Sequence, residues 1–184
     1  MATDTRPFDP AKEPYYFSFG RHEDDSEVKI IGHEKGNTWQ HTTEGLRAGH
    51  ERAIRFGGGG EKGGDAWLFS RSFALRANHD YEAAIVSKFV PADRGHRPED
   101  TGREIRGIPR LRLRIGTEQQ PRAQTQTLID WGVTSTEYQP VKVAFRVPKD
   151  GTYYFSLQGA NDAPGGFVVV SDNGVATLGQ LRGL

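Results

Sequence analysis

The strictest pattern in the sequence is the run RLRLRIG at residues 110–116, in which three aliphatic residues alternate with three arginines. In a β-strand successive side chains point to opposite faces, whereas a helix repeats every 3.6 residues. This alternation therefore predicts a strand with its aliphatic face toward a core and its arginine face toward solvent.

Ten further short segments have the composition of strands and are separated by turn-forming residues. With 110–116 the predicted strands are residues 14–19, 27–31, 37–42, 51–56, 65–75, 81–90, 126–131, 141–147, 152–159 and 167–172. The best helical candidate, residues 44–54, is weakened by two internal glycines. The sequence predicts an all-β fold: a single antiparallel β-sandwich, or jelly roll, of roughly ten strands with little helix.

Two of the longer segments differ in how their apolar residues are placed. In DAWLFSRSFAL, Trp67, Phe69, Phe73 and Leu75 share one parity, which predicts that they share one face. The segment at 81–90, YEAAIVSKFV, is apolar on both parities, as is typical of a central strand covered on both sides.

The length of 184 residues favours a single domain with a sizeable core. We expect an N-terminal arm at residues 1–13, a jelly-roll domain at 14–172 and a C-terminal tail at 173–184. The two ends of a jelly roll commonly lie near each other. Both arms could therefore reach the same neighbour in a homo-oligomer or a larger assembly.

Composition excludes several classes of partner and site. The 24 basic and 24 acidic side chains give a formal net charge of zero, which argues against binding nucleic acid or an anionic membrane surface. The absence of cysteine excludes disulfides and thiolate metal sites. The sequence has no apolar run of about 18 residues and no apolar segment near its start, so we expect neither membrane insertion nor a signal peptide.

The glycine-rich stretch at residues 57–64 invites comparison with a phosphate-binding loop. Such a loop requires a Gly-Lys pair followed by Ser or Thr, but Lys62 lies between Glu61 and Gly63. We interpret the stretch as a tight crossover between two strands of one sandwich, where glycine permits unusual backbone conformations.

Catalytic patterns are missing from the sequence. The six histidines show no H-E-x-x-H spacing, and no G-x-S-x-G motif is present. Neighbouring carboxylates occur only in polar runs that are typical of solvated loops. The sequence therefore predicts that the protein is not an enzyme.

Loop carboxylates are candidates for a structural Ca²⁺ site, because this cation prefers hard oxygen ligands. The candidate ligands are Asp24, Asp25, Asp65 and Asp172. The alternative interpretation of each is a turn-forming Asx residue.

Aromatic residues near turns are candidates for stacking on sugar rings, whose C–H faces are apolar. We select Trp39 and Trp131, assisted by Tyr138 and Tyr154. The alternative for both tryptophans is a place in the hydrophobic core, and this is the interpretation that we prefer for Trp67.

Arg112 and Arg114 belong to the alternating arginine face and are further candidates for contact with a partner. Arginine suits carboxylate and sulfate groups because its planar guanidinium can donate two parallel hydrogen bonds. The alternative is an ordinary solvated face whose charge is balanced elsewhere.

The order of these segments resembles that of cleaved-adhesin and related MAM-like jelly-roll domains. The resemblance rests on GGDAWLFSRSFAL, LRLRIGTEQQPRAQTQTLID, YQPVKVAFRVPKDGTYYFSLQG and FVVVSDNGV, and it spans about residues 15–176. It implies a galactose-binding-like jelly roll that is non-catalytic, often secreted, and frequently holds structural Ca²⁺.

Together, the residues and the resemblance predict an extracellular or cell-surface binding module that recognises a glycan or a surface protein. The alternative is a structural subunit of a larger assembly built on a jelly roll, such as a virion decoration, tail or surface filament protein. That alternative would place the chain in a virion or another assembled particle.

Overall fold

The structure, a computed structural model, describes residues 6–18, 29–31, 39–49, 53–57, 66–91, 109–160 and 166–184. Within these ranges the secondary structure is eleven β-strands and one short 3-10 turn, Pro121–Ala123. Among the same residues, no helix has the length and apolar character needed to cross a membrane.

Each predicted strand segment overlaps a strand of the structure, which confirms the all-β prediction. The strands are β1 (Tyr15–Ser18), β2 (Lys29–Ile31), β3 (Gln40–Thr42), β4 (Ala53–Gly57), β5 (Ala66–Leu75), β6 (Tyr81–Pro91), β7 (Arg110–Gly116), β8 (Gln126–Gly132), β9 (Gln139–Phe145), β10 (Gly151–Ala160) and β11 (Gly166–Thr177). The last strand continues past Asp172, so the first residues of the predicted tail belong to the sandwich.

The strands form two antiparallel sheets that face each other as a sandwich. One sheet has five strands in the order β2-β5-β10-β7-β8. The other has six, in the order β3-β4-β11-β6-β9, and β1 pairs with the second half of β11. Sequential strands are mostly placed in different sheets, so most of the stabilising contacts join distant parts of the chain.

The core lies between the sheets and is built by alternation. Leu111, Leu113 and Ile115 of β7 are buried in it, while the intervening arginines point to the outer face. From the other sheet, Val168 and Val170 of β11 reach the same core. The strand at 110–116 therefore has the inward aliphatic face and the outward arginine face that its period-two pattern predicted.

A bulge in β5 overturns the prediction that its aromatic residues share one face. Opposite β10, Tyr154 pairs with Ser72 and Ser156 with Phe69, so β5 carries one extra residue between the two pairs. The extra residue inverts the alternation. Phe73 therefore packs in the core, whereas Trp67 and Phe69 lie on the outer face of the five-stranded sheet.

The C-terminal segment, residues 178–184, lies against the outer face of the six-stranded sheet. Leu181 packs on Ala84 and Ala176 and is buried. The Glu82 carboxylate accepts hydrogen bonds from the backbone N–H groups of Gly179 and Leu181, both at 3.0 Å. These two charge-assisted bonds fix the segment in place.

A second segment, residues 42–49, covers another part of the same outer face. Leu46 packs on the small cluster formed by Ala53, Phe167 and Val169. The Tyr138 hydroxyl donates a 2.7 Å hydrogen bond to the carbonyl of Gly45. Gly45 needs its positive φ and its missing Cβ, because a Cβ would lie 2.8 Å from a methyl carbon of Val90.

The described part of the N-terminal arm also folds back on its own sandwich. Phe8 forms an isolated bridge with Phe73, donating its N–H to the Ser72 carbonyl and accepting from the Ala74 N–H. Its ring contacts Tyr15 edge to face. The described portions of both termini therefore contact this chain itself.

Candidate functional site

The outer face of the five-stranded sheet carries a row of polar and aromatic side chains across four strands. Trp67 of β5 is opposite Gln158 of β10, Gln158 is opposite Arg112 of β7, and Arg112 is opposite Asp130 of β8. Residues directly opposite each other share a face, with Cβ atoms about 5 Å apart. We call this surface the arginine face; it comprises Trp67, Arg110, Arg112, Arg114, Asp130 and Gln158.

Asp130 holds two of the arginines. Its Oδ1 atom accepts a 2.8 Å hydrogen bond from Nε of Arg110 and lies 3.4 Å from Nε of Arg112. The hydrogen bond from Arg110 lowers the pKa of the Asp130 carboxyl below its ordinary value, with partial burial opposing it. Asp130 in turn raises the pKa of Arg110, so both groups stay ionised around neutral pH.

Arg114 is fixed from three sides. Its Nε donates to the Gln124 carbonyl at 3.0 Å, and its Nη1 donates to Oε1 of Gln158 at 3.3 Å. Its guanidinium lies over the Trp67 ring, 5.7 Å from the ring centroid. A guanidinium held by two hydrogen bonds and an aromatic face keeps one orientation.

Gln124 supports this arrangement from beneath. Its Nε2 donates to the carbonyls of Glu118 and Tyr154, and its Oε1 accepts from the Ser156 hydroxyl. Gln124 is almost fully buried, so its side chain relies on these bonds in place of water. The network ties the 3-10 turn to β10.

Gly116 is what allows the 3-10 turn to lie this close to the sheet. A Cβ at this position would be 1.8 Å from the carbonyl oxygen of Ala123. Any other residue would force the turn, and with it Gln124, away from β7.

Solvent exposure rises across the arginine face from β5 toward β8. Trp67 is only 7% exposed and Gln158 is buried. By contrast, 29% of the Arg112 side chain and 40% of the Arg110 and Asp130 side chains are exposed. The part that a large ligand can reach is therefore the β7–β8 end.

Trp131 lies beside this accessible end, on the edge strand β8. It follows Asp130 directly and is opposite Leu111, so its ring belongs to the inward face of the sheet. Because β8 is the last strand, the sandwich does not cover the ring, and 43% of the residue is exposed. An exposed indole on a sheet edge is a suitable surface for the apolar face of a sugar.

The predicted contact residues fall into three groups. Arg112, Arg114 and the partly buried Tyr154 lie on the outer face of the five-stranded sheet, and Trp131 lies at its edge. Tyr138 lies on the other sheet, where its ring packs under the ammonium group of Lys88 at 4.7 Å. The structure thus does not bring Tyr138 together with the arginines.

The expectation that Trp39 stacks on a ligand is wrong for this structure. Trp39 is 2% exposed and lies in the core, with its ring against Phe56. Its indole N–H donates to the carbonyls of Ala66 and Leu157, at 3.0 and 3.2 Å. Trp39 therefore joins the two sheets and presents no face to solvent.

Sequence reasoning missed Asp130, Gln158 and Gln124. Asp130 and Gln158 flank Arg112 only because of strand pairing, which joins segments far apart in the chain. The alternation in residues 152–159 does place Gln158 on the outer face, so the parity of that segment was the available signal.

The calcium ligands remain a prediction. Asp24, Asp25 and Asp65 lie outside the described residues, as does most of the glycine-rich stretch. Asp172 accepts hydrogen bonds from Arg47 and from the Ser171 hydroxyl, so a cation there would compete with a guanidinium. In the part of the chain that the structure describes, no three His, Asp or Glu side chains cluster as metal ligands would.

A small pocket lies inside the sandwich. It is lined mainly by core side chains, among them Tyr15, Phe73 and Phe155, and has a volume of about 40 Å³. Asn173 contributes a buried Oδ1 that has no hydrogen-bond partner. A space of this size suits ordered water and is too small for a sugar ring.

The chain shares its fold with several solved structures. One is the K1 cleaved-adhesin domain of Lys-gingipain from Porphyromonas gingivalis W83, with a TM-score of 0.66 and 12% identity over 91% of this chain and 99% of that one. Another is the CBM22-1 xylan-binding domain of Xyn10C from Paenibacillus barcinonensis, with a TM-score of 0.55 and 12% identity over 89% of this chain and 93% of that one.

A third similar structure is the enzymatically active domain of tailspike protein 4 from bacteriophage CBA120. Its TM-score is 0.57 at 7% identity, and the match covers 86% of this chain but only 20% of that chain. Neither a protein-family model nor a curated protein sequence matches the chain. The likeness is one of fold, and it confirms the jelly-roll sandwich of the cleaved-adhesin type that the segment order predicted.

Proposed function

We propose that the protein is a non-catalytic binding module that recognises a polysaccharide through the β7–β8 end of the arginine face. The ring of Trp131, on the opposite side of the edge strand β8, would contact the same polymer around the edge of the sheet. The observation that carries this proposal is the row of cross-strand partners ending in Arg112 and Asp130. These side chains are held by one another and remain open to solvent.

Preorganisation is the physical reason that such a surface suits binding. Arg110 and Arg112 are positioned by one carboxylate, so a ligand would not have to order them from a free state. Less side-chain entropy is then lost on association. Polar groups at fixed positions, with an exposed aromatic ring around the edge of the same strand, match the mixed polar and apolar surface of a polysaccharide.

The fold supports the same proposal. The similar structures include a cleaved-adhesin domain and a xylan-binding domain, each matched over nearly its whole length. The proposal includes a location outside the cell or at a cell surface, where a module of this kind would encounter polysaccharides.

Binding to a polysaccharide panel tests the proposal. The protein is run in native gels containing neutral or acidic polysaccharides, each with Ca²⁺ and with EDTA. We expect retardation by at least one polymer, and weaker retardation of Trp131→Ala. Tyr16→Ala is the matched control, because Tyr16 is as exposed (44%) but lies on the other sheet. Equal migration in every gel would contradict the proposal.

A separate measurement tests the predicted calcium: the melting temperature of the protein in Ca²⁺ and in EDTA. If a structural Ca²⁺ is present, the melting temperature should fall in EDTA, because a ligand bound only to the native state raises its stability. An unchanged melting temperature would remove calcium from the account and leave the proposed binding face as it is.

A structural subunit of an assembly is the second proposal, and the observation that favours it is the fold shared with part of a phage tailspike. The described parts of both termini contact their own sandwich, and contact of the terminal arms with an assembly neighbour stays a prediction. Sedimentation showing only monomer at micromolar concentration would count against it.

A further inference from the structure

We propose that the ligand of this site is an anionic polysaccharide, bearing carboxylate or sulfate groups, whose charges are bound by Arg110 and Arg112. This inference rests on the proposed function and names the ligand class of the same site. It rests on which guanidinium nitrogens of Arg110 and Arg112 contact Asp130 and which have no partner among the described residues.

Asp130 engages the Nε atom of each arginine. Neither guanidinium has a further hydrogen-bond partner among the described residues. Within the described residues the two terminal Nη groups of each therefore remain as paired donors, on side chains that are 40% (Arg110) and 29% (Arg112) exposed. Paired Nη donors match the two oxygens of a carboxylate or sulfate, which is the strongest geometry available to arginine.

The charge of the face also favours an anion. Among the described residues of this face, the three arginines of β7 are opposed by the single carboxylate of Asp130, which leaves an excess of positive charge within that set. This excess exists although the chain as a whole has no net charge. A local patch on a neutral protein attracts an anionic ligand at short range.

The row of arginines along β7 lets more than one charged group of a polymer be bound. Arg110, Arg112 and Arg114 follow one another at every second position of β7. Such positions lie about 6.6 Å apart along a strand. Because Arg114 is held by Gln124 and Gln158, the two arginines nearer the strand's start are the ones left for a ligand.

Nucleic acid is the competing anionic polymer. Its binding depends on many phosphate contacts and on a broad basic surface. Among the described residues, two accessible arginines sharing one carboxylate, on a chain of zero net charge, do not supply that surface. The described residues thus favour an anionic polysaccharide.

The test compares pairs of polymers that differ only in charge: polygalacturonate with its methyl-esterified form, and dextran sulfate with dextran. We expect the protein to bind the anionic member of at least one pair at least about tenfold more tightly, since a charge-assisted hydrogen bond contributes roughly 1.5–3 kcal/mol. The Arg112→Gln variant should lose about tenfold in affinity for that polymer.

Arg146→Gln is the matched control. Arg146 also forms an exposed ion pair with a carboxylate, that of Asp80, but it follows β9 of the other sheet. Both variants remove one positive charge, so general electrostatic attraction would weaken equally in the two. Specific binding should weaken only in Arg112→Gln, with Arg110→Gln as a second variant should the first fold poorly.

The outcomes separate this inference from the proposed function. Tight binding to neutral members only, or equally to both members of each pair, would overturn the inference and leave the polysaccharide module in place. Equal losses in Arg112→Gln and Arg146→Gln, or tighter binding to single-stranded DNA than to any anionic polysaccharide, would also overturn it. No binding to any anionic member would do the same.

Discussion

On the outer face of the six-stranded sheet the chain covers itself, whereas the outer face of the five-stranded sheet ends in charged side chains open to solvent. Residues 42–49 and 178–184 pack on the first face through apolar clusters and backbone hydrogen bonds. On the second, Arg110, Arg112 and Asp130 hold one another at the surface.

The difference shows that strands with the same inward and outward alternation of side chains can form either a covered apolar surface or an open charged one. On β11 the outward residues include Phe167 and Val169, which need a cover because exposed apolar area is unfavourable. On β7 the outward residues are arginines, whose charged groups can remain in contact with water and need no cover. We therefore assign stability to the covered face and ligand binding to the arginine face.

The largest loss of stability should come from a substitution in residues 178–184, the segment that covers the six-stranded sheet. Leu181→Ala removes a buried side chain that packs on Ala84 and Ala176, and we expect a loss of about 2–5 kcal/mol in the free energy of unfolding. Denaturant titration measures it. Leu178→Ala is the control, because Leu178 is in the same segment but 47% exposed. Polysaccharide affinity should not change in either variant; a loss of affinity in Leu181→Ala would break the division between the two faces.

A smaller effect is expected where the arginine face itself depends on a buried group. Gln124→Ala leaves the carbonyls of Glu118 and Tyr154 without their donor, which should cost about 1–3 kcal/mol in stability. It should also loosen Arg114, which donates to the Gln124 backbone. Affinity and unfolding free energy are measured together, with the exposed Gln139→Ala as control. A Gln124→Ala variant as stable as the control would show that the network does not support the face.

The smallest expected effect is on the pH dependence of stability, and it comes from Tyr138 at the covered face. Burial raises the pKa of Tyr138 to about 12, with the charge of Asp172 adding to it. In the unfolded chain Tyr138 releases this proton near pH 10. Its contribution to the free energy of unfolding is therefore fully present below about pH 10 and declines as pH rises toward 12. Tyr138→Phe should decline less steeply at high pH, the rest of the decline coming from the buried Tyr81, whose pKa burial also raises. It should also lose about 1 kcal/mol from the hydrogen bond to Gly45.

Urea titrations at pH 8 and pH 11 measure the effect of this substitution. Tyr154→Phe, on the other sheet, serves as the control and should keep the decline at high pH. If Tyr138→Phe declines as steeply as the unmodified protein, the alkaline loss originates elsewhere.

Local pattern was enough to predict the strands and the inward face of β7, because period-two alternation encodes a half-buried strand directly. It failed at β5, where Ser70 and Arg71 lie in a bulge that no local signal marks. It also ended β11 too early. The residues Ser-Asp-Asn-Gly are typical of a turn, yet here the strand continues past a register shift with β6.

The site was only partly predictable for the same physical reason. Arg112 and Arg114 follow from alternation alone. Asp130, which positions Arg112, depends on strand register, and register is set by pairing between segments that the sequence pattern treats separately. Trp39 was misplaced because three residues of β3 are too few to establish parity, and its burial depends on carbonyls from β5 and β10.

Amide chemical shifts of the ¹⁵N-labelled protein, recorded while a short polygalacturonate oligomer is added, test most directly whether the arginine face is the binding surface. We predict that the largest changes occur at residues 110–114 and 127–132, with 42–49 and 178–184 unaffected. Changes concentrated at 42–49 or 178–184, with β7 and β8 unmoved, would contradict the account.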